Sequence, residues 1–356
     1  MYSVTCGSVF CNSSICMADM SSPSQALVDS QTRLCVLLWR FITFLWCTLS
    51  LLLVSGVVSL PHVEIIWSDS LEPVSRCLGV CAGVASLCFL FGQVTGNVSQ
   101  VDKLWSIVPG LYTGIIFFQS FSPRLLLMLL VTTVWGARLT FNFWRRGGYT
   151  WPPWAGAEDY RWEYVRKWPV LNTSIGWSLF NLLFISLYQH LLLLSIVLPA
   201  VPALLADTPL NTLDLAVTIT VLALVIIESV ADQQQEEFQN EKWRRIRNKE
   251  VLTDPYSQGF ISWGLFSLSR HPNYLAEQLI WVVFYFYSTA ATGHWINLTM
   301  IGSLLLISLF QGSTMLSESI TSSKYSGYKQ YQAQVPRFCG NLWKLTESYK
   351  YLSLKQ

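Results

Sequence analysis

Nine consecutive residues, Ser269-Arg270-His271-Pro272-Asn273-Tyr274-Leu275-Ala276-Glu277, bring together a cation, an imidazole, an amide, a phenol and a carboxylate. A guanidinium binds anions, and a phenol beside a carboxylate can pass a proton. Pro272 suits the first turn of a helix and not its interior. A helix is therefore expected to start near Pro272, with Ser269 as its N-cap. Arg270, Asn273, Tyr274 and Glu277 follow at helical spacings, close to one face. The apolar run Gln278 to Ala291 comes next. The motif is thus expected where a membrane helix meets water, with an anionic ligand reaching both Arg270 and a helix N-terminus.

Four further sets of polar residues flank apolar runs. They are Asn97, Gln100, Asp102, Lys103 and Trp105; Arg138, Asn142, Arg145 and Arg146, followed by Glu158 to Trp162; Glu228, Asp232 and Gln233 to Glu236; and Glu318, Lys324, Tyr325, Tyr328 and Tyr331. Most have a plain structural explanation. Arg138 can snorkel to headgroups, Asp102 and Lys103 can form an interfacial ion pair, and Lys242 to Lys249 reads best as a basic surface facing water or lipid. Glu228 is different, because a carboxylate inside the apolar run Val221 to Val230 is usually functional or paired. No dinucleotide or P-loop fingerprint, no Ser-His-Asp set and no metal-ligand spacing is present. His190 falls within an apolar run and reads as a hydrogen-bonded packing residue.

The elements that must position these residues are membrane helices. The 356 residues are 52% hydrophobic and 12% charged, about half the charge of a soluble domain. The chain reads as all-α, a polytopic helical bundle. Eight apolar runs are expected to cross the membrane, with seven to ten as the range: Leu34–Leu60, Cys77–Thr95, Leu104–Gln119, Leu125–Phe143, Ile175–Leu198, Leu213–Val230, Leu275–Ala291 and Ile296–Phe310. Residues 1–32 read as disordered or as a weak leader, and 33–356 as one membrane domain. Most of the 23 basic residues lie after runs four, six and eight. Eight crossings put all three basic segments, and the chemistry, on the cytosolic side.

The motif Ser269 to Glu277 resembles the cofactor motif of the steroid 5-alpha-reductase-like membrane enzymes. Their superfamily also holds sterol C14 and C7 reductases and isoprenylcysteine carboxyl methyltransferases. The similarity is greatest to an uncharacterised branch bearing the steroid reductase C-terminal domain. It rests on Val101-Asp102-Lys103-Leu104-Trp105-Ser106-Ile107, Arg138-Leu139-Thr140-Phe141-Asn142, Glu158-Asp159-Tyr160-Arg161-Trp162, Ala231-Asp232-Gln233-Gln234-Gln235 and Gly312-Ser313-Thr314 with Glu318, Lys324, Tyr325 and Tyr328. These motifs cover roughly residues 90–340. The resemblance implies NADPH as cofactor, bound by Arg270, His271, Asn273, Tyr274, Glu318, Lys324, Tyr325 and Tyr328, with Asp232 and Gln235 alongside. It implies Tyr274 and Glu277 as proton-relay residues, and an endoplasmic reticulum membrane. Arg138, Asn142, Asp159 and Glu228 are candidates for lining a substrate pocket. No residue matches the N-terminal Glu and Tyr that polarise a 3-oxo group in the steroid enzymes, so steroid specificity does not carry over.

The expected activity is NADPH-dependent reduction of a carbon–carbon double bond in a lipid or sterol-like substrate. An S-adenosylmethionine-dependent methyltransferase and a non-catalytic sterol-binding protein are the alternatives. A nucleic-acid partner is not expected, because no basic domain stands apart; no metal is expected, and the oligomeric state is open.

Overall fold

The computed structural model describes residues 64–206 and 208–338. The expected first crossing, Leu34–Leu60, and the segment 1–32 lie outside the described residues. No strand occurs among the described residues. The longer helices are α1 (Glu64–Thr95), α3 (Val108–Phe117), α4 (Pro123–Arg145), α8 (Thr212–Arg247), α9 (Pro272–Thr292) and α10 (Ile301–Lys324). Short helices fill the connections: α2 (Gln100–Leu104), α5 (Tyr160–Val165), α7 (Ala200–Leu205) and α11 (Tyr328–Gln334). One further rod, α6, joins an α-helical turn (Ser174–Phe180), a π-helical stretch (Asn181–Tyr188) and a second α-helical piece (Gln189–Ser195).

Among the described residues, five helical segments are long and apolar enough to cross a bilayer: Val74–Thr95, Pro123–Arg145, Ser174–Leu205, Thr212–Arg247 and Leu298–Lys324. Large apolar side chains such as Leu215, Ile219 and Ile226 face outward from α8, which suits hydrocarbon and not water. The third expected crossing is α3, an apolar helix of only 10 residues. The seventh is α9, which is long enough but carries polar and aromatic side chains that it buries inside the bundle.

Polar contacts fix how the helices run. Arg124 bonds Asp214, Asn142 bonds Asp232 and Arg146 bonds Glu236, each pair separated by 90 residues. A constant offset means that α4 and α8 lie parallel and in register. The helix α9 returns antiparallel to α8, joined to it by Thr218 to Tyr287 near one end and Asp232 to Asn273 near the other. The next helix, α10, reverses again, with Ser303 bonding the Trp281 carbonyl and Arg270 pairing with Glu318. The start of α9 therefore meets the ends of α4, α8 and α10 at one end of the bundle. Arg138 and Arg145 of α4, the basic residues of α8 and every polar set named above gather at that end.

Local sequence explains the helix starts. Ser122 caps α4 ahead of Pro123, and Asn211 and Asp214 form a reciprocal capping box on α8. Pro272 opens α9 as expected, but the cap is His271 and not Ser269. The Ser269 hydroxyl lies one step outside the helix. It accepts the His271 N–H and donates to the Arg337 carbonyl, so a C-terminal segment takes the group that would have capped the helix. Gly293, at φ 76, ends α9 in the left-handed conformation.

Candidate functional site

Three linked groups of polar side chains occupy the shared end of α4, α8, α9 and α10. The deepest is built by α4, α8 and α9. Trp135, Arg138 and Asn142 come from α4, Glu228 and Asp232 from α8, and Asn273, Glu277 and Trp281 from α9. The Asp232 carboxylate accepts from Arg138 and from Asn142 Nδ2 at 2.6 Å on one oxygen, and from Asn273 Nδ2 at 3.0 Å on the other. Arg138 also sets Nη1 2.8 Å from Glu228 Oε1. Glu277 accepts the Trp135 indole N–H at 2.7 Å and the Trp281 indole N–H at 3.1 Å. Glu228, Asp232, Glu277 and Asn142 are buried. Arg138 does not snorkel, since its side chain is 11% exposed and held between two carboxyls.

The second group surrounds Glu318. Arg270 donates to both of its oxygens, Nε at 2.7 Å and Nη2 at 3.2 Å. The His271 ring lies 3.0 Å away, and Gln332 Nε2 donates at 2.9 Å. The remaining Arg270 donors go to the carbonyls of Gln332 and Val335. Arg270 thus turns inward and ties α9 to α10 and to the segment after α11, instead of presenting a free fork to an outside anion. Arg337 approaches Glu318 at 3.6 Å and is one-third exposed. Burial pushes the His271 imidazole below its ordinary range, and Arg270 and Arg337 push the same way against Glu318. Tyr328 and Tyr331 are buried against Phe260, and Tyr331 donates to the Phe266 carbonyl.

The third group lies around α5. Asp159 caps α5 and takes Arg161 in a chelate, with Nε at 2.9 Å, while Arg161 also reaches Ser313 on α10. Burial opposes ionisation of Asp159, but the Arg161 guanidinium holds its carboxyl below the usual range. Burial pushes the Tyr160 phenol up to about 12, with Tyr274 as the next contributor. The Tyr274 ring stacks on His271 and meets Phe310 edge-on. Asp102, whose Oδ2 meets no donor, is pushed up to about 7 by burial and by neighbouring Asp159. Asp102 and Lys103 are not the ion pair that the sequence allowed. Lys103 Nζ bonds Gln100 and the carbonyls of Pro153 and Ala155.

The candidate residues therefore divide. Arg138, Asn142, Glu228, Asp232, Asn273 and Glu277 converge on the deep group. Arg270, His271 and Glu318 form the second, with Tyr328 packed beside it. Asp159 belongs to the third, paired with Arg161. Tyr274 and Glu277 are not hydrogen-bonded to each other, because they leave α9 toward different neighbours. Lys324 is exposed, with its ammonium over the rings of Tyr160 and Tyr164 at 5.8 and 5.6 Å. With Tyr325, Asp254, Ser257, Gln258 and Gly327 it lines an open groove of about 360 Å³. Gln235 is half-buried and makes no hydrogen bond among the described residues. Lys242 is not on a basic surface: it is buried, donates to the Gly259 carbonyl and sits among Phe238, Trp243 and Tyr325. Among the described residues no group of His, Cys, Asp and Glu side chains could hold a metal ion.

Sequence reasoning passed over Trp135, Trp281, Gln332 and Arg337. The two tryptophans sit one helical turn from Arg138 and Glu277, a spacing that could have flagged them. Gln332 and Arg337 carry no such signal.

A family model described as a protein of unknown function (DUF1295) matches residues 88–335. An uncharacterised protein of Schizosaccharomyces pombe is 35% identical over 287 residues, which cover 73% of this chain and 81% of that one. No solved structure matches the chain.

Proposed function

We propose that this chain, which belongs to the DUF1295 family, is a membrane oxidoreductase that uses NADPH to reduce a carbon–carbon double bond of a lipid or sterol-like substrate. The observation that carries this reading is the convergence of three motifs far apart in sequence on one buried cluster: Arg138 and Asn142, Glu228 and Asp232, Asn273 and Glu277. Several kcal/mol per ion is lost when charges leave water. Such a cluster is costly within a membrane bundle unless it serves a ligand. The resemblance of the Ser269 to Glu277 motif to the steroid 5-alpha-reductase-like enzymes gives the cluster its chemistry.

The residues fit a dinucleotide on two counts. The open groove offers the exposed ammonium of Lys324 and the face of Tyr325, a donor and a ring suited to phosphate and a flat heterocycle. Among the described residues Gln235 has no partner to compete for its amide. Lys324, Tyr325, Gln235, Asn273 and Asp232 would hold the cofactor, while Arg270, His271 and Glu318 brace the wall behind them. NADPH, when bound, supplies a hydride.

The chain supplies the proton and the shape. Glu277 is fixed by two indole N–H groups and cannot swing away. The Tyr274 ring stacks on His271 and meets Phe310 edge-on, which fixes where its hydroxyl points. Arg138 and Asn142 point donors into the cluster. The shared polar end faces the cytosol in this reading, and Leu34–Leu60, α3 and α9 complete eight crossings.

Cells lacking the protein should accumulate an unsaturated lipid whose reduced product is depleted, as read by comparative lipidomics. Unchanged lipids across sterol and isoprenoid classes would contradict the reading.

A further inference from the structure

Among the described residues, three carboxyl groups in the deep cluster face one cation, Arg138. Asp232 accepts on both oxygens, from Arg138 and Asn142 on one and from Asn273 on the other. Glu277 accepts an indole N–H on each oxygen, from Trp135 and from Trp281. Glu228 places Oε1 against Arg138 Nη1, and its Oε2 meets no donor among the described residues. The Glu228 carboxyl instead faces that of Glu277, and both residues are 4% exposed.

An ionised carboxylate only accepts hydrogen bonds, so two of them cannot bond each other. Leaving all three ionised would also set two uncompensated negative charges in a water-poor site. We infer that Glu228 and Glu277 share one proton, carried on Glu228 Oε2 and donated toward Glu277, and that this pair is the store from which the reaction draws its proton.

The second half of that inference rests on the reductase reading; the shared proton does not. In turnover, one carbon of the double bond gains the hydride. Its neighbour gains the proton from the pair, which is left as two carboxylates. Arg138, 2.8 Å from Glu228, offsets the charge that appears there, and water from the cytosolic side returns the proton.

Infrared spectroscopy of the purified full-length protein in lipid nanodiscs reads the proton without turnover. At neutral pH the wild type should show a protonated-carboxyl band that shifts in D₂O. Labelling with ¹³C-glutamate should move it, which separates it from any contribution of Asp102 or Asp232. The band should be lost in Glu228→Gln and kept in Asp232→Asn. A wild-type spectrum with no glutamate-derived protonated band overturns the inference, and so does a band that survives Glu228→Gln. The labelled wild type alone decides the matter if the variant does not fold.

Discussion

Glu318 shows what a buried carboxylate demands of its neighbours. It collects donors from Arg270, His271 and Gln332, with Arg337 close by. Removing one partner of such a pair costs about 3–5 kcal/mol, because the other charge stays buried. Arg270→Ala should therefore lower the unfolding temperature sharply in a thermal-shift assay. Arg270→Lys should recover only part of the loss, since Lys lacks the planar fork. An unchanged melting profile for Arg270→Ala would contradict the inward role. Asp102 tests the opposite case, a carboxyl held protonated. Its folded-state pKa is pushed up to about 7 from 3.8, so the folded state keeps a proton that the unfolded chain releases. Stability from this group is lost as pH rises between those values. Asp102→Asn should stabilise the protein by a margin that grows from pH 4 to pH 7 and then levels, read as unfolding temperature against pH. The types of these residues were legible in the sequence, but their partners were not. Spacing within one motif says nothing about Pro336 and Arg337, whose carbonyls take the Arg270 and His271 N–H groups.

At the scale of elements, a polar ladder holds α4 and α8 parallel. Its far rung is Arg124, 2% exposed, which grips Asp214 and the carbonyls of Thr208, Pro209 and Ala290. Arg124→Ala should cost about 3–5 kcal/mol, whereas Arg124→Met with Asp214→Leu should restore most of it, because a paired replacement leaves no orphan charge. Equal destabilisation in the single and the double variant would contradict the ladder. Gly302 marks another contact that admits no side chain, since a Cβ there would lie 2.2 Å from the Ser195 carbonyl. Gly302→Ala should destabilise by about 1–3 kcal/mol through forced separation of α10 from α6. Hydrophobic runs located every helix of this bundle that was both expected and described, because lipid-facing and core-facing positions are alike apolar. They missed where helices extend past the membrane: α8 continues from Val230 to Arg247 on charged residues that pair with one another. They also missed the π-helical stretch of α6, whose sequence is as apolar as its surroundings.

At the scale of the molecule, the three linked polar groups share one end of the bundle, and among the described residues the opposite end holds the Arg124–Asp214 pair instead. Single cysteines placed at Trp151 and Val251, both exposed at the polar end, should react with a membrane-impermeant reagent from one side. Cysteines at Phe121 and Ile296, exposed at the opposite end, should react from the other. Labelling of Trp151 and Val251 from opposite sides would break the arrangement. The asymmetry was legible from the loops that hold most of the lysines and arginines, because charge bias follows topology. The deep cluster was legible only in part. Glu228 stood out against its apolar run, yet nothing in the sequence said that it would meet Glu277 and Arg138.

In the proposed function this end of the bundle binds NADPH. The direct measurement is isothermal titration of the purified full-length protein in nanodiscs, at fixed salt, with NADPH, NADH and S-adenosylmethionine, on the wild type and on Lys324→Ala. The wild type should bind NADPH, bind NADH more weakly and not bind S-adenosylmethionine. A charge-assisted hydrogen bond contributes about 1.5–3 kcal/mol, so Lys324→Ala should weaken NADPH binding by roughly 10- to 150-fold. Binding of S-adenosylmethionine alone, or of no nucleotide by a well-folded wild type, would contradict it.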